Sequence, residues 1–246
     1  SALEAWQAPY PPDTSPDTVH FAAFLGDRPA RPFDPAVFFR WRAHTEFGGG
    51  LAGSRFVPQL TALHWLLGLD APARCAAVGA LARWQDGRDQ PDTLAASFHY
   101  ADGPVVSLSA TLNGTGRPAE VRLVGTEATR VIAEPRLSLL PGPRAEPYPD
   151  VAETWAKPYR DWFYMMHGMS RDGLVRGAPD VEKTTEVFEL PQGAGTAAVH
   201  LADFLDAIRT GQPPREPLTL GLDAAMAGVM AARAAASGAV VRREDL

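Results

Sequence analysis

The chain has 246 residues, of which 46% are hydrophobic and 21% are charged, a composition typical of a folded globular protein. Its formal net charge of -6, with no Lys/Arg cluster, argues against nucleic acid as a partner. The longest apolar run near the C-terminus, residues 224–232, is shorter than the roughly 20 residues of a membrane span, so we expect no membrane partner. The single cysteine, Cys75, cannot form an intrachain disulfide, and we expect a cytoplasmic protein.

Taken in chain order, the first strong pattern is an apolar helix over residues 56–69. Segments rich in Val, Leu, Thr and aromatic residues then predict five strands, at residues 75–84, 93–100, 105–112, 120–124 and 185–190. The Asp102-Gly103 pair lies between two of them and predicts a hairpin. From residue 141 to residue 179 Pro, Gly and aromatic residues replace any regular period, which is typical of a functional loop or an interface arm.

The clearest helical pattern follows, with five apolar side chains on one face from Val199 to Ile208 and a stop at Gly211. An Ala-rich helix is predicted over residues 218–237, and a last short strand over residues 239–242. Successive hairpins without intervening helices predict an α+β fold. We expect an open, mainly antiparallel sheet of about six or more strands, with helices packed on one face, and residues 1–246 as a single domain.

Two glycine-rich segments, residues 48–53 and 193–198, match the pattern of dinucleotide-binding loops. In such a loop a buried strand delivers the glycines to a helix N-terminus, and an acidic residue follows about 20 positions later. Residues 41–47 are not a buried apolar strand, and no parallel strand with an acidic residue follows the second segment. We therefore interpret both as turns and helix starts, and expect this chain to bind no cofactor by itself.

Other candidate chemistry is weak. His200 and Asp203 are one helical turn apart, but a histidine at a helix start more simply caps or packs there, and we predict no metal site. His64 lies in an apolar helix and is interpreted as a core histidine. The nucleophile pattern GxSxG is absent, because residues 53–56 lack its second glycine.

A binding site is predicted by residues 32–42, PFDPAVFFRWR, which place two arginines beside aromatic rings and ahead of a glycine triplet. Arg supplies fixed donors suited to polyols or carboxylates, and glycines let the backbone approach a ligand closely. The alternative is that Phe38, Phe39 and Trp41 belong to the core and the arginines to solvent. The binding hypothesis places five side chains in one cleft beside the 48–53 turn: Arg40, Arg42, His44, Arg55 and Gln59.

Several segments, in order along nearly the whole chain, resemble the C-terminal domain of the Gfo/Idh/MocA (glucose-fructose oxidoreductase / inositol dehydrogenase) family. They are FDPAVFFRWRAHTEFGGGLAGSRFVPQLTALHWLLG, WQDGRDQPDT, FHYADGPVVSLSATL, VRLVGTEAT and HLADFLDAIRTGQPP. The resemblance implies a mainly antiparallel sheet that binds a sugar or polyol, follows a Rossmann domain holding NAD(P), and forms homo-oligomers through its open sheet face.

The chain departs from the family pattern in two places. It has no strand-GxGxxG-helix opening and no Glu-Lys-Pro motif, whose lysine serves catalysis in the family, so we expect a Rossmann domain in cis or in trans. The family motif Asp-x-Gly-x-His-x-x-Asp aligns with Ser54, Phe56, Pro58 and Thr61, and none retains the family residue. Proline has no titratable group, and a hydroxyl is no base near neutral pH without an adjacent one. The resemblance therefore implies a degenerate catalytic motif.

We expect the substrate-binding and oligomerisation domain of an NAD(P)-dependent sugar or polyol oxidoreductase, as the C-terminal part of a longer protein or as a free-standing relative. The alternative is a non-catalytic carbohydrate-binding or scaffolding protein that kept the fold. Pro58 bears on the choice. A helix that begins at or just before Pro58, which is our expectation, indicates an abandoned site, whereas a helix running through it from well upstream indicates a remodelled cleft.

Overall fold

A computed structural model of the chain describes residues 9–114, 120–126, 128–133, 135–141, 152, 154–166, 185–189, 196–214 and 217–246. The chain divides into two compact units, one formed by residues 1–117 and 195–246 and the other by residues 118–194. Each unit contains one four-stranded antiparallel sheet. The α+β class and the open antiparallel sheet are confirmed, whereas the eight described strands form two sheets instead of one. That residues 1–246 act as a single domain stays a prediction.

The elements in chain order are α1 (Phe21–Leu25), α2 (Pro35–Phe39), a 3-10 turn (Trp41–Ala43), a π-helical turn (Ala52–Phe56), α3 (Val57–Leu67), β1 (Arg74–Ala80), β2 (Thr93–His99), β3 (Val105–Thr111), β4 (Val121–Val124), β5 (Ala128–Ala133), β6 (Arg136–Pro141), α4 (Lys157–Met166), β7 (Glu186–Glu189), α5 (Thr196–Thr210), α6 (Leu218–Ser237), β8 (Val241–Arg242) and a 3-10 turn (Arg243–Asp245).

The sheet of the first unit has the strand order β3-β2-β1-β8, and β2 and β3 form the predicted hairpin. Alternate residues face opposite sides. Cys75, Leu94 and Phe98 point into the core, where α6 packs on β1 and α3 packs on α6. The other side carries Val78 and Val105, which are 69% and 67% exposed. Helices thus cover one face of this sheet and leave the other open, as predicted.

Helix α6 is the core helix of the first unit. Its buried residues are small or flexible, namely Ala224, Ala227, Gly228, Met230, Ala231 and Ala234. Among the described residues it is the one helix long and apolar enough for a membrane span, but only by length and composition, and core helices meet the same criterion. Small side chains bring α6 close to its neighbours, so that a Cβ on Gly228 would lie 2.6 Å from Val57 Cγ2.

The second unit has the strand order β4-β5-β6-β7. Two of its strands, β5 and β6, were not predicted, although they form a tight antiparallel hairpin. Helix α4 lies within the stretch expected to be a loop or arm, whose other residues are mostly outside the described ones. On this sheet Arg136 and Glu189 are paired in register, and their side chains meet at 2.9 Å.

Candidate functional site

The candidate site is built around the start of a long helix at Gly50. Gly50 has φ +55°, in the left-handed region, and a Cβ there would collide with the side-chain amide of Gln90. The Nε2 of Gln90 donates to the carbonyl of Gly48 at 2.7 Å. Residues 48–53 therefore form a turn and a helix start, as interpreted from the sequence. Of the second glycine-rich segment, residues 193–195 lie outside the described residues, and residues 196–198 form the start of α5.

Helix α3 begins at Val57, directly before Pro58, as expected, and a π-helical turn and residues 50–51 extend it upstream without a break. A proline within a helix lacks an N–H, and its ring excludes the carbonyl four residues earlier, here that of Ser54. Ser54 lies in the π-helical turn, after which the N–H of Val57 donates to Ala52, five residues back. The wider turn makes room for the proline ring. The start of α3 fits the interpretation of an abandoned site, whereas the helical turns upstream of it fit that of a remodelled cleft, so the choice between the two stays a prediction.

The three positions aligned with the family's titratable residues share one face of this helix. Ser54, Pro58 and Thr61 are spaced by four and three residues, which is one helical turn each. The Ser54 hydroxyl donates to the Gly50 carbonyl at 2.7 Å, and that of Thr61 donates to the Val57 carbonyl at 2.9 Å. Both hydroxyls therefore bond to their own helix, and Pro58 is exposed between them.

The arginine-rich segment is held against residues 84–90. Arg88 is bound to Asp86 by two hydrogen bonds of 2.7 Å, from Nε and Nη2, and its side chain is only 1% exposed. Arg40 approaches the same carboxylate, with Nη1 3.9 Å from Asp86 Oδ2, and its guanidinium lies 4.8 Å from the ring centre of Tyr10. Two cations thus share one carboxylate, which leaves a local excess of positive charge.

This cluster also has more donors than acceptors. Within the described part of the chain the Nε of Arg40, the Nη1 of Arg88 and the Nε1 of Trp84 are buried without a hydrogen-bond partner. Arg88 lies 5.4 Å from the ring centre of Trp84. Such a cluster has the polarity that ligand hydroxyl or carboxylate oxygens need.

Backbone hydrogen bonds fix the two segments to each other. The N–H groups of Asp89 and Gln90 donate to the carbonyl of Ala43, and the N–H of Thr45 donates to the Asp89 carboxylate at 2.7 Å. The position of the arginine segment is therefore set by the loop that joins β1 to β2.

Asp92 anchors the end of that loop. Its buried carboxylate accepts from the N–H groups of Ala82, Arg83 and Trp84 and from the Asn113 amide. Burial opposes ionisation, but these hydrogen bonds outweigh it and lower the pKa of Asp92 to about 2. The strand was predicted to end at Trp84, but β1 ends at Ala80. The same bonds explain the difference, because these N–H groups point to a side chain and not to a neighbouring strand.

The five side chains of the predicted cleft are only partly connected. Arg42 lies over the ring of Trp41 at 4.2 Å and is exposed, and the His44 carbonyl accepts from the N–H groups of Phe47 and Gly48. Arg55 and Gln59 are half-buried on the helix. No hydrogen bond or ion pair between described residues joins these two to the arginine segment, so the common cleft stays a prediction.

The aromatic rings of the segment favour the packing interpretation. Phe38 lies 4.9 Å from Phe39 and 5.1 Å from Phe24, measured between ring centres, and these rings are half-buried. Edge-to-face contacts at these distances stabilise an aromatic cluster. The rings therefore pack against one another and hold the arginine segment in place.

Sequence reasoning missed Asp86 and Arg88. The signal was present in WQDGRDQPDT, where opposite charges two residues apart follow a tryptophan. His64 was interpreted correctly as a core histidine, because it is buried and its Nε2 lies 2.7 Å from the Tyr100 hydroxyl. Cys75 is also buried, and burial raises the pKa of its thiol to about 12.

Comparison with known proteins identifies the family. A family model described as the oxidoreductase family, C-terminal alpha/beta domain (GFO_IDH_MocA_C), matches residues 25–242. None of the curated proteins compared with the chain matches it.

Solved structures share the fold at low identity. Levoglucosan dehydrogenase in complex with NADH and levoglucosan is 18% identical over 82% of this chain and 52% of that chain, with a TM-score of 0.57. UDP-N-acetylglucosamine 3-dehydrogenase from Acidithiobacillus ferrooxidans is 15% identical over 88% and 57%, with a TM-score of 0.54. An NAD-binding protein from Listeria innocua is 19% identical over 86% and 55%, with a TM-score of 0.53. This chain spans about half the length of each. It belongs to the Gfo/Idh/MocA oxidoreductase family, whose C-terminal domain it matches over residues 25–242.

Proposed function

We propose that this chain is the substrate-binding and oligomerisation domain of an NAD(P)-dependent sugar or polyol oxidoreductase, with a degenerate catalytic motif. The observation that carries the proposal is the family match over residues 25–242, together with Ser54, Pro58 and Thr61 on one helix face where the family motif aligns. The names of two similar structures, a levoglucosan and a UDP-N-acetylglucosamine dehydrogenase, support a carbohydrate as substrate class.

The cofactor belongs to a Rossmann domain in cis or in trans. This chain corresponds to about half of the NAD-dependent structures that it resembles. Calorimetry with the chain alone should therefore show no submillimolar binding of NAD(P)H, and such binding would contradict this division of labour.

The substrate cleft contains Arg40, Arg42, His44, Arg55 and Gln59. Arg42 provides the sharpest test, because its side chain is exposed and its guanidinium lies over the neighbouring Trp41 ring. Arg42→Ala should weaken sugar binding while changing the free energy of unfolding by less than about 1 kcal/mol, as expected for a surface change. Arg122→Ala, an exposed arginine on β4, is the matched control and should leave sugar binding unchanged. An unfolded Arg42→Ala protein would instead favour a packing role.

Catalysis is tested by placing the chain behind a Rossmann domain of the same family. The unmodified fusion should not reduce NAD(P), because Ser54, Pro58 and Thr61 offer no titratable group and both hydroxyls bond to their own helix. Restoring the motif with Ser54→Asp, Pro58→His and Thr61→Asp should return sugar-dependent reduction. Activity of the unmodified fusion would show that the chemistry does not depend on position 58.

The second candidate is a non-catalytic carbohydrate-binding or scaffolding protein. It is favoured by the Ser54 and Thr61 hydroxyls, which donate their hydrogens to backbone carbonyls and so can only accept hydrogen bonds from a substrate. A start codon directly before Ser1 in the coding sequence would favour this reading, whereas a Rossmann half in frame would favour the oxidoreductase.

We further infer a cytoplasmic homo-oligomer that associates through the open face of the β3-β2-β1-β8 sheet. Exposed Val78 and Val105 lie on that face, and a large exposed sheet face is unusual on a monomer. Sedimentation at high micromolar concentration should show an oligomer, and a stable monomer would contradict the proposal.

A further inference from the structure

A cavity of about 850 Å³ lies in the first unit, at the opposite end of α3 from Ser54. Three segments line it: residues 68–74 after α3, residues 99–103 at the β2–β3 hairpin, and residues 242–244 at the end of the chain. A rise of about 1.5 Å per residue over residues 50–67 separates the two ends of the helix by about 25 Å. We call it the hairpin cavity. It has no part in the proposed substrate cleft.

A row of basic side chains crosses three strands at this cavity. Arg242 on β8 is directly opposite Arg74 on β1, and Arg74 is directly opposite His99 on β2. Residues in register on adjacent strands point to the same face, and like charges directly opposite each other destabilise a sheet. The two arginines therefore repel each other unless an anion lies between them.

The protein's own acidic side chains do little to neutralise these two arginines. Among the described residues the Arg74 side chain makes no hydrogen bond or ion pair, and Arg242 meets only Glu244, at 3.4 Å, with both side chains mostly exposed. The Nδ1 of His99 is buried and has no hydrogen-bond partner within the described chain. Arg74 and the Nδ1 of His99 thus lack an oxygen partner among the described residues, and Arg242 has only the exposed Glu244.

The remaining lining limits the charge of the ligand. Asp70, Asp102 and Glu244 line the hairpin cavity beside Arg74, Arg242 and Arg243, so its formal charge is near zero and it offers no net attraction to a highly charged polyanion. Carboxylates are acceptors only, and they bind the hydroxyl groups of a ligand. Both kinds of group in one cavity match a ligand that carries one oxyanion and several hydroxyls.

We propose that the hairpin cavity binds a small sugar acid or sugar phosphate, with its oxyanion at Arg74, Arg242 and His99 and its hydroxyls at Asp70 and Asp102. A guanidinium presents two parallel N–H groups to a carboxylate or phosphate, and such charge-assisted bonds are the strong ones. The bound oxyanion also removes the repulsion between Arg74 and Arg242. This site is independent of the proposed oxidoreductase function. Arg74 and His99 lie on the same sheet face as Val105, so the site requires that the inferred homo-oligomer leave this end of the face uncovered.

The test is calorimetric titration of the full chain with gluconate, glucose 6-phosphate and glucose. Gluconate carries a carboxylate and glucose 6-phosphate carries a phosphate, so the two titrations show which oxyanion the cavity binds. At least one of them should bind at least about tenfold more tightly than neutral glucose. Arg74→Gln should weaken binding of that anion about tenfold or more, and Arg74→Lys less, because Lys keeps the charge without the fork. Arg122→Gln, an exposed arginine outside the cavity, is the matched control and should leave the affinity unchanged.

Asp102→Asn tests the hydroxyl half of the site. Asn suits the hairpin turn as well as Asp does, so the fold is kept. This variant should weaken the sugar anion but not inorganic phosphate, which has no sugar hydroxyls. Should Arg74→Gln fail to fold, Arg242→Gln tests the same oxyanion site and should likewise weaken binding of the anion about tenfold or more. The proposal is overturned if neither anion binds at millimolar concentration, if glucose binds equally well, or if Arg122→Gln weakens the anion as much as Arg74→Gln.

Discussion

The Nε2 of His64 lies 2.7 Å from the hydroxyl oxygen of Tyr100, and both side chains are buried. The bond joins the C-terminal half of α3 to the residue that follows β2. Burial lowers the pKa of His64 below the ordinary value of 6.5 for histidine, although the charges of Asp223 and Asp70 oppose the shift. The neutral imidazole is thus the form that the folded protein holds.

Stability should consequently fall as the pH falls below about 6.5. There the unfolded chain gains a proton at position 64 before the folded protein does, and the state that binds more protons is favoured at low pH. Urea denaturation between about pH 7 and about pH 5 should show this loss, and His64→Gln should make the slope shallower. An unchanged slope in the variant would mean that His64 is protonated equally in both states.

Asp92→Asn should destabilise the protein strongly at neutral pH. Its pKa of about 2, against an ordinary value of 3.8 for aspartate, corresponds to about 2 kcal/mol of stability that is present at neutral pH and lost as the pH falls towards 2. The amide also turns an N–H₂ group towards three backbone donors, so we expect a total loss of about 2–4 kcal/mol in urea denaturation near pH 7. The exposed Asp17→Asn is the control, and an equal effect there would contradict the anchoring role of Asp92.

Pro58→Ala should stabilise the protein by about 1–3 kcal/mol, because alanine restores an N–H within the helix and removes the ring that excludes the Ser54 carbonyl. A crystal structure of the variant should show the π-helical turn at residues 52–56 relaxed to a regular α-helix. Pro35→Ala is the control, since Pro35 stands at the first position of α2, where proline is favourable. A π-helical turn that persists in Pro58→Ala would assign its origin to packing against α6.

Gly228→Ala should destabilise the protein by about 1–3 kcal/mol, because the added Cβ would lie 2.6 Å from Val57 Cγ2 in a well-packed region. Val57→Ala in the same chain should recover part of the loss, which a double-mutant cycle in urea measures. Gly221→Ala, on the same helix and facing open space, is the control and should be neutral or stabilising. Equal losses at both glycines would argue against the close helix contact.

The sequence was most informative where local chemistry alone decides the structure. Residues 218–237 were predicted with the observed helix bounds, since Ala-rich periodicity and the left-handed Gly238 leave little choice. Helix α5 was also predicted, but its apolar residues, such as Phe204 and Ile208, are exposed in the structure. A periodic apolar face predicts a helix and says nothing of what covers it.

The sequence was less informative where a helix changes its type or where residues far apart in sequence meet. The π-helical turn at residues 52–56, which precedes α3, was not predicted, because no local pattern signals the change of the hydrogen-bond period. The approach of Arg40 to Asp86 depends on a loop that folds back over more than 40 residues, which no local period reveals.

Gly49, Gly50 and Gly53 lie close together in sequence but have different structural roles. Gly50 cannot be replaced without displacing Gln90, Gly49 is limited by the backbone of Gly53, and Gly53 itself faces open space. A library randomised over these positions should accept side chains at 53, resist them at 49 and reject them at 50. Such a graded tolerance, measured by deep mutational selection for folding, would distinguish glycines kept for packing from those kept for a phosphate, which would be intolerant as a group.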